Sequence, residues 1–502
     1  LYAVESTMTL TGAAADHRLA MRSTDVAELA RALRRCVDDL LSGGEPAAAT
    51  DPFVAAMAKD LVAHRGRSVV AAGAGQPAEV HAAACRINDA LENVGNTVFY
   101  TEAPDPERPS HVAAIRQLVD EINAGEVSTL LIKGGNPVFD APADLDFAAA
   151  LEKVEMRIRL GLYEDETSAA CQWHLPETHF LESWGDARAW DGTYSVVQPL
   201  IEPLYDGRSA IELVASLAGQ AADRADALVR QTCYEILGRP MPETPTEVEQ
   251  EPDEREAGEG APAEAMAAGV LPADAGVKIP ASPAFAAWRK VVVEGVLAGS
   301  AWPKQTPKAT ADKADDVAKA DEEKPADDES ENDELEIVFT ADASVYDGRF
   351  ANSGWLQEMP DPMTRLTWDN AALLAPATAK RLGVSDGDLL RLKLGQRELT
   401  VPAYTLPGQA PNSVAVALGY GRTAAGNVGG SESLGVEPVG ANAYALRTTG
   451  AMHFGTGLEI EPTGETYPLA SVQNHHAIDT VGQEGIAKRL GQLVREATLP
   501  YY

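Results

Sequence analysis

The chain has 502 residues, 45% of them apolar, and its 76 acidic residues outnumber the 41 basic ones to give a net charge of −35. A chain of this length holds roughly two to four domains with sizeable cores. So strong a negative charge argues against nucleic acid as a partner and against direct docking on anionic lipid. It favours solubility and, as a second interpretation, a surface that attracts a basic electron carrier.

Cysteine spacing and hydropathy exclude two further classes of protein. The four cysteines, Cys36, Cys85, Cys171 and Cys233, are too widely separated for a zinc or iron–sulfur motif and lie in contexts typical of packing. No apolar run approaches the roughly 20 residues that cross a bilayer. The sequence starts at Leu1, without Met or a signal peptide. We therefore expect a fragment of a longer subunit.

The first 238 residues alternate short apolar runs with amphipathic helical stretches. Helical spacing predicts helices at Asp25–Leu41, Glu79–Val94 and Val112–Ile122. Apolar runs predict strands at Ser68–Gly73, Thr97–Tyr100, Leu130–Ile132 and Arg157–Leu160. This alternation predicts an α/β domain over residues 1–238, with a Rossmann-like parallel sheet and helices on both faces.

Residues 239–335 differ sharply in composition. Pro, Ala, Glu and Asp dominate, and Lys304–Asp333 is a low-complexity charged run that is typical of unfolded sequence. The composition predicts a solvated acidic linker or surface insertion. One apolar island, Phe285–Trp302, predicts a short helix whose packing residues are Phe285, Trp288, Val292 and Leu297.

Residues 336–502 are rich in strand-length apolar runs. The predicted strands are Leu335–Phe339, Leu389–Leu394, Leu399–Tyr404 and Ser413–Leu418. A short helix before Gly383 ends at that glycine, and Gly387 and Asp388 supply the turn into the next strand. The pattern predicts a small closed β-barrel with inserted helices.

Three segments follow predicted strands and are expected at one edge of the sheet, because ligands of parallel sheets lie beyond the carboxyl ends of the strands. They are Gly73–Gly75, Gly134–Asn136 and Glu164–Thr167. Glycine amides and hydroxyl groups suit phosphate. The candidate ligand-contacting residues are therefore Gly134, Gly135, Asn136, Glu166 and Thr167. Alternatively, Asn136 caps its own turn and Thr167 begins a helix.

The histidines and tryptophans carry weaker signals. His174 and His179 have no spacing typical of a metal site, and the adjacent His475 and His476 would point to opposite faces of a strand. The expected core or subunit-interface anchors are Trp184, Trp190, Trp355 and Trp368. We predict no catalytic residue and no metal ligand in this chain.

The order of the motifs is more specific than any one of them. Leu130–Phe139 carries a G-G-N-P turn, Asp165–Ala170 a D-E-T-x-x-A element, and Leu175–Gly185 the segments L-P-E-T-H and L-E-S-W-G. This order resembles the molybdopterin oxidoreductase superfamily. The P-x-x-A-x-x-L-G-x-x-x-G-D element at Pro376–Asp388 is similar to the C-terminal, six-stranded dinucleotide-binding barrel of that superfamily.

Within the superfamily, the sequence is similar to the large subunit of alternative complex III, a bacterial membrane quinol oxidoreductase. The similarity rests on Ala15–Leu19, Trp355–Asn370, Gly419–Arg422, Ala425–Val428 and Asn442–Tyr444. It implies a peripheral subunit on the periplasmic side of the membrane that supports electron transfer from quinol to a periplasmic acceptor. The implied partners are membrane quinol-oxidising subunits, multihaem cytochrome c subunits and a C-terminal iron–sulfur domain, whose clusters lie outside residues 1–502.

The resemblance also bears on molybdenum. Catalytic relatives carry Asp near the position of Cys171 and a His and a Thr where this chain has Ala351–Trp355, and we assign Cys171 to packing. The alternative complex III branch implies an empty pterin pocket, so the five candidate residues are expected to be vestigial and no cofactor is expected. The alternative is a catalytic molybdenum-bis-pterin oxidoreductase of the polysulfide, tetrathionate or DMSO reductase type. An ordinary nucleotide-binding enzyme is disfavoured because no G-x-G-x-x-G or P-loop motif follows a predicted strand.

Overall fold

The computed structural model describes residues 1–45, 51–105, 107–220, 224–238, 283–307, 334–472 and 498. The chain begins with a parallel strand pair, β1 (Tyr2–Glu5) and β2 (His17–Ala20), joined through helix α1 (Leu10–Ala14). Three longer helices follow, α2 (Val26–Leu41), α3 (Pro52–Ala63) and α4 (Ala78–Ala90). They pack around Leu33, Val37, Met57 and Ile87, and β1 covers the same cluster. The predicted helices at Asp25 and Glu79 are confirmed, although α4 ends four residues early.

The second α/β unit holds the predicted parallel sheet. Its elements are α5 (His111–Asn123), β3 (Thr129–Lys133), α6 (Pro137–Asp140), α7 (Phe147–Leu151), β4 (Met156–Gly161), α8 (Glu166–Ala169) and β5 (Trp173–Pro176). The sheet has three strands in the order β3-β4-β5, all parallel. Helices α5 and α7 bury Ile122 and Leu151 against the apolar side chains of β3. The predicted α5, β3 and β4 are confirmed, whereas β5 was missed because the segment Trp-His-Leu-Pro holds a single aliphatic residue.

Two other predicted strands are wrong. Ser68–Gly73 forms no strand: the Val70 N–H donates to Asn88 Oδ1 at 2.9 Å, and the Val70 carbonyl accepts from Asn88 Nδ2 at 2.7 Å. A side-chain amide thus satisfies backbone groups that a neighbouring strand would otherwise pair. Thr97–Tyr100 forms only isolated bridges.

These corrections also move one of the three segments expected at the sheet edge. Because Ser68–Gly73 is not a strand of the β3-β4-β5 sheet, Gly73–Gly75 does not lie at its carboxyl end. Gly75 instead lies against the barrel, where a Cβ atom at this position would meet His453 at 2.9 Å.

The strand pairs β1–β2 and β4–β5 share one register. Tyr2 pairs with His17, and Ile158 pairs with Trp173, so the second pair lies 156 residues downstream of the first. Each pair continues for four residues in parallel. The chain therefore contains an internal structural repeat.

The connecting helices of the repeat agree as well. The N-cap side chain of α1, Thr9, accepts the N–H of Gly12, and that of α8, Asp165, accepts the N–H of Ser168, each three residues ahead. The two halves of the repeat differ at the edge of β1 and β4 that faces away from β2 and β5. Strand β4 also pairs with β3, whereas β1 pairs only with β2 among the strands that the structure describes.

A hairpin and three helices follow the repeat. They are β6 (Gly185–Arg188), β7 (Tyr194–Val197), α9 (Ala210–Leu217), α10 (Ala225–Ile236) and α11 (Pro283–Glu294). The predicted helix of the apolar island is confirmed as α11. Trp288 and Leu297 are buried against Tyr194, Val229 and Cys233, while Phe285 and Val292 lie at the edge of this cluster. The island is thus packed on the α/β half.

The last part of the chain is a barrel. Its elements are β8 (Leu335–Thr340), α12 (Gly354–Glu358), β9 (Leu366–Thr367), β10 (Ala372–Leu374), α13 (Pro376–Leu382), β11 (Asp388–Leu394), β12 (Arg397–Thr405), β13 (Ser413–Ala417), β14 (Ala424–Ala425), α14 (Gly426–Gly429), β15 (Gly430–Ser431), β16 (Phe454–Thr466) and β17 (Ala470–Ser471). Six strands close in the order β10-β12-β11-β16-β8-β13. Their inward side chains, among them Ile337, Leu390 and Val414, are fully buried.

The predicted fold class is confirmed, with two strands of the barrel unforeseen. Gly383 ends α13 with φ 67°, as predicted. Strand β16 was missed because it is mostly exposed and contains three glycines and a proline, so its order comes from backbone pairing with β8 and β11. Strand β10 has only three residues. Within the described ranges, no helix has the length and apolar character needed to cross a membrane.

Candidate functional site

The G-G-N-P turn and the D-E-T element meet at the carboxyl ends of β3 and β4, as predicted. Gly134 and Gly135 have φ values of 61° and 65°, a left-handed conformation that favours glycine. Pro137 then begins α6 at its first turn. On the neighbouring strand, Asp165 caps α8 through a hydrogen bond from Ser168 N of 2.8 Å. Two short helices therefore start side by side at this edge.

Asn136, Glu166 and Thr167 form one hydrogen-bonded cluster. Asn136 Nδ2 donates to Glu166 Oε2 at 2.7 Å, and Thr167 Oγ1 donates to Asn136 Oδ1 at 2.6 Å. Thr167 N also donates to Asn136 Oδ1, and Thr167 Oγ1 accepts from Val138 N. Thr167 is fully buried. Both ends of the asparagine amide and the threonine hydroxyl are thus engaged within the protein.

Arg422 of the barrel completes this cluster from the other half of the chain. Its guanidinium contacts both carboxylate oxygens of Glu166, with Nη2 to Oε2 at 2.7 Å and Nε to Oε1 at 2.9 Å. The same carboxylate accepts the N–H groups of Thr423 and Ala424. Burial alone raises the pKa of Glu166, but the hydrogen bond and charge of Arg422, together with Asn136, outweigh it and hold the pKa at about 2. Glu166 is an ionised anchor for the barrel loop.

Arg159 on β4 forms hydrogen bonds with the backbone of the glycine turn. Its guanidinium is 3% exposed and donates to the carbonyls of Gly134 at 2.8 Å and Gly135 at 2.6 Å. It also pairs with Asp165 at 2.9 Å. A Cβ atom at Gly161 would lie 3.0 Å from this guanidinium, so the glycine leaves space for the arginine. Arg159 therefore fixes both the turn and the cap of α8.

Sequence reasoning did not assign Arg159 or Arg422 to the site. The sequence predicted only that Arg159 lies in a strand and that Arg422 belongs to the motif Gly419–Arg422. A charged residue in an otherwise apolar strand was the available signal for Arg159, because such a residue is buried only when it is paired. Arg422 lies 256 residues from Glu166 in sequence, so local patterns could not connect the two.

The cleft above these residues has a volume of about 380 Å³. Its charged lining includes the acids Asp140, Asp165, Glu177 and Asp347 and the arginines Arg159, Arg349 and Arg422. Burial, followed by the charge of Asp347, raises the pKa of Asp140. The lining therefore balances its positive charges with carboxylates.

Many of the donors that a pterin pyrophosphate would need are engaged within the protein. Such a group needs free N–H, hydroxyl or cationic donors. Here the Gly134 N–H is bonded to Leu160 O, and the Thr167 hydroxyl to Asn136. Arg422 is paired with Glu166 and Arg159 with Asp165, while Arg159 Nε lacks a partner among the described residues.

The remaining sequence candidates lie around this site without forming a metal centre. Cys171 is half-buried, and burial raises the pKa of its thiol. His174 Nδ1 is 3.0 Å from Ser168 Oγ, and His179 lines the cleft with its ring 4.1 Å from that of Phe180. In the described part of the chain, no group of three or more His, Cys, Asp or Glu side chains is placed to hold a metal ion. His475 and His476 lie outside the described residues.

The four tryptophans occupy different environments. Trp184 is half-buried, and its ring centroid is 6.0 Å from that of Trp288. Trp368 is also half-buried. Trp190 and Trp355 are 79% and 88% exposed, so their predicted role as interface anchors stays a prediction.

Comparison with known proteins shows the fold. No protein-family model and no curated protein matches the chain. Among solved structures, acetylene hydratase from Pelobacter acetylenicus matches with a TM-score of 0.53 and 13% sequence identity, over 89% of this chain and 69% of that chain. An identity this low speaks for the fold alone. The chain therefore shares an overall fold with this structure.

Proposed function

We propose that this chain is a non-catalytic scaffold within the peripheral subunit of a respiratory quinol oxidoreductase of the alternative complex III type. In this proposal the reaction belongs to the whole complex: quinol is oxidised, and electrons pass through iron–sulfur clusters and haems of neighbouring domains to a periplasmic acceptor. The partners are the membrane quinol-oxidising subunits, the multihaem cytochrome c subunits and an iron–sulfur domain. The chain itself acts by holding these parts in position.

The observation that carries the proposal is the closed polar cluster at the carboxyl edge of the sheet. Asn136 bonds to both Thr167 and Glu166, and Arg422 contacts both carboxylate oxygens of Glu166. A cluster in which every member has a partner stabilises a unique packing and leaves few donors for an incoming phosphate. Joining the two halves of the chain is the task for which this geometry is suited. The motifs would then persist for the fold and not for a cofactor.

Metal and cofactor content tests the scaffold proposal directly. We expect protein purified from its native membrane to contain no stoichiometric molybdenum or tungsten by mass spectrometry. Acid iodine oxidation should release no fluorescent pterin, and the same preparation should contain covalently bound haem from its cytochrome partners. One molybdenum or tungsten atom per chain, with extractable pterin, would replace the proposal with the catalytic alternative.

That alternative is a molybdenum-bis-pterin oxidoreductase, and the fold likeness to acetylene hydratase is the observation in its favour. Haem content separates the two further. A scaffold of a respiratory complex copurifies with c-type haem, whereas a self-contained molybdenum enzyme has no such requirement. Metal-free protein without haem partners would contradict both functions and leave the fold assignment intact.

A further inference from the structure

A second groove lies between β1 and the segment Ser68–Gly73. Its volume is about 640 Å³. The floor is formed by apolar side chains of three helices, including Leu29 and Leu33 of α2, Met57 of α3 and Ala84 of α4. Val338 of the barrel also lines it. The groove is thus an apolar trough with strand β1 along one wall.

The backbone of β1 points toward this groove at every second residue. The carbonyls of Leu1 and Glu5 accept hydrogen bonds from His17 N at 3.1 Å and Met21 N at 3.2 Å, so these residues face β2. Because peptide groups alternate along a strand, those of Tyr2 and Val4 face the opposite edge. No described strand pairs with that edge.

Two buried side-chain atoms on the groove wall also lack partners. Thr7 Oγ1 and Gln76 Oε1 both line the groove, and each is buried without a hydrogen-bond partner among the described residues. Buried polar atoms are normally paired, so this wall provides hydrogen-bonding capacity beyond what the described residues use.

The internal repeat indicates which kind of segment could pair with the free edge of β1. Strand β4 is the counterpart of β1, since Ile158 corresponds to Tyr2 in the shared register. On the edge of β4 that corresponds to the groove lies β3, in parallel, with Leu131 opposite Ile158. Strand β3 is the apolar run Thr-Leu-Leu-Ile-Lys, the kind of sequence expected for a parallel strand buried on its faces.

We propose that the groove between β1 and Ser68–Gly73 is an acceptor site for one further parallel β-strand, an extended apolar peptide segment of the β3 type. The segment would pair with the free backbone groups of Tyr2 and Val4 by β-strand addition. Its side chains would cover the apolar floor formed by α2, α3 and α4. This site is separate from the cleft at Glu166 and does not depend on the function proposed for it.

A peptide with the sequence of residues 127–134 of this chain is the natural probe, because it contains the whole of β3. Its binding to the full chain is measured by fluorescence anisotropy, and its position by amide hydrogen exchange at Tyr2 and Val4. We expect saturable binding and slower exchange at these two amides. A control peptide with Ile132→Pro should bind at least about tenfold more weakly, because the backbone groups of the even-numbered residues of β3 face the pairing strand and proline cannot donate to the ladder.

Two outcomes would overturn the proposal. One is the absence of saturable binding up to millimolar peptide, or equal binding of the proline peptide. The other is full displacement of the peptide by palmitate without protection at Val4, which would make the groove an acyl-chain site. Retained protein folding in every titration is checked by circular dichroism.

Discussion

Arg422 and Glu166 join the barrel to the α/β half through a two-point ion pair in which Nη2 and Oε2 are 2.7 Å apart. Their side chains are 7% and 9% exposed. The pair is therefore desolvated, and the loss of one partner leaves the other charged and buried. Because Glu166 also accepts the N–H groups of Thr423 and Ala424, this contact fixes a whole barrel loop against α8.

Removing the cation should destabilise the protein strongly. For Arg422→Met we expect a loss of about 3–5 kcal/mol in the free energy of unfolding, the usual cost of leaving a buried charge unpaired. Urea denaturation followed by circular dichroism measures this change. The matched control is Arg349→Met, which removes an ion pair with Asp347 whose arginine is 61% exposed and should cost less than about 1 kcal/mol. Equal effects of the two variants would contradict the desolvated role of Arg422.

The same ion pair predicts a specific pH dependence. The pKa of Glu166 is about 2 in the folded protein, against an ordinary value of 4.5, so the folded state binds this proton more weakly than the unfolded state. Its stabilisation is complete at pH above the ordinary value and is lost as the pH falls from 4.5 toward 2. The stability difference between the wild type and Glu166→Gln should be constant above about pH 5 and shrink below it. A difference that grows on acidification would refute this assignment.

Replacing Asn136 with aspartate should destabilise the protein. Its amide donates to Glu166 and accepts from Thr167, and an ionised carboxylate cannot donate. Asn136→Ala should cost about 1–3 kcal/mol through lost buried hydrogen bonds. Asn136→Asp places a second carboxylate beside Glu166 and should be less stable than the alanine variant at pH 7, although it is closer in shape. Thermal unfolding at pH 7 and pH 4 tests this order, and the deficit of the aspartate variant should narrow at the lower pH because a protonated carboxyl can donate.

Alanine at position 161 should destabilise the protein, because Arg159 occupies the space beside Gly161. The new Cβ atom would lie 3.0 Å from Arg159 Cζ, and the guanidinium cannot withdraw because it is tied to Gly134, Gly135 and Asp165. We expect Gly161→Ala to cost about 1–3 kcal/mol by overpacking. Gly185→Ala is the matched control in another strand, where the Cβ atom meets Val197 at 3.8 Å, an ordinary contact. Comparable midpoints in urea for the two variants would argue against the steric role of Gly161.

Elements with strong local patterns were predictable. The amphipathic spacing of α2 and the apolar runs of β3 and β4 give the same signal in isolation as in the fold, because each buries one continuous apolar surface. Ser68–Gly73 has the same apolar pattern, but the strand predicted there is wrong. The Asn88 side chain bonds to backbone groups that a neighbouring strand would otherwise pair. Strand β16 carried almost no signal, because its order comes from its neighbours on both sides.

The sequence by itself determined the order of α/β units and barrel, and it brought Gly134, Asn136, Glu166 and Thr167 to one sheet edge, because these depend on residues near one another in the chain. Only the tertiary structure decided what those residues contact. Arg422 reaches Glu166 across 256 positions, and Arg159 turns from its strand to the carbonyls of the glycine turn. Partners of this kind depend on how separate elements dock and on which buried charges must be neutralised, and no local periodicity encodes either.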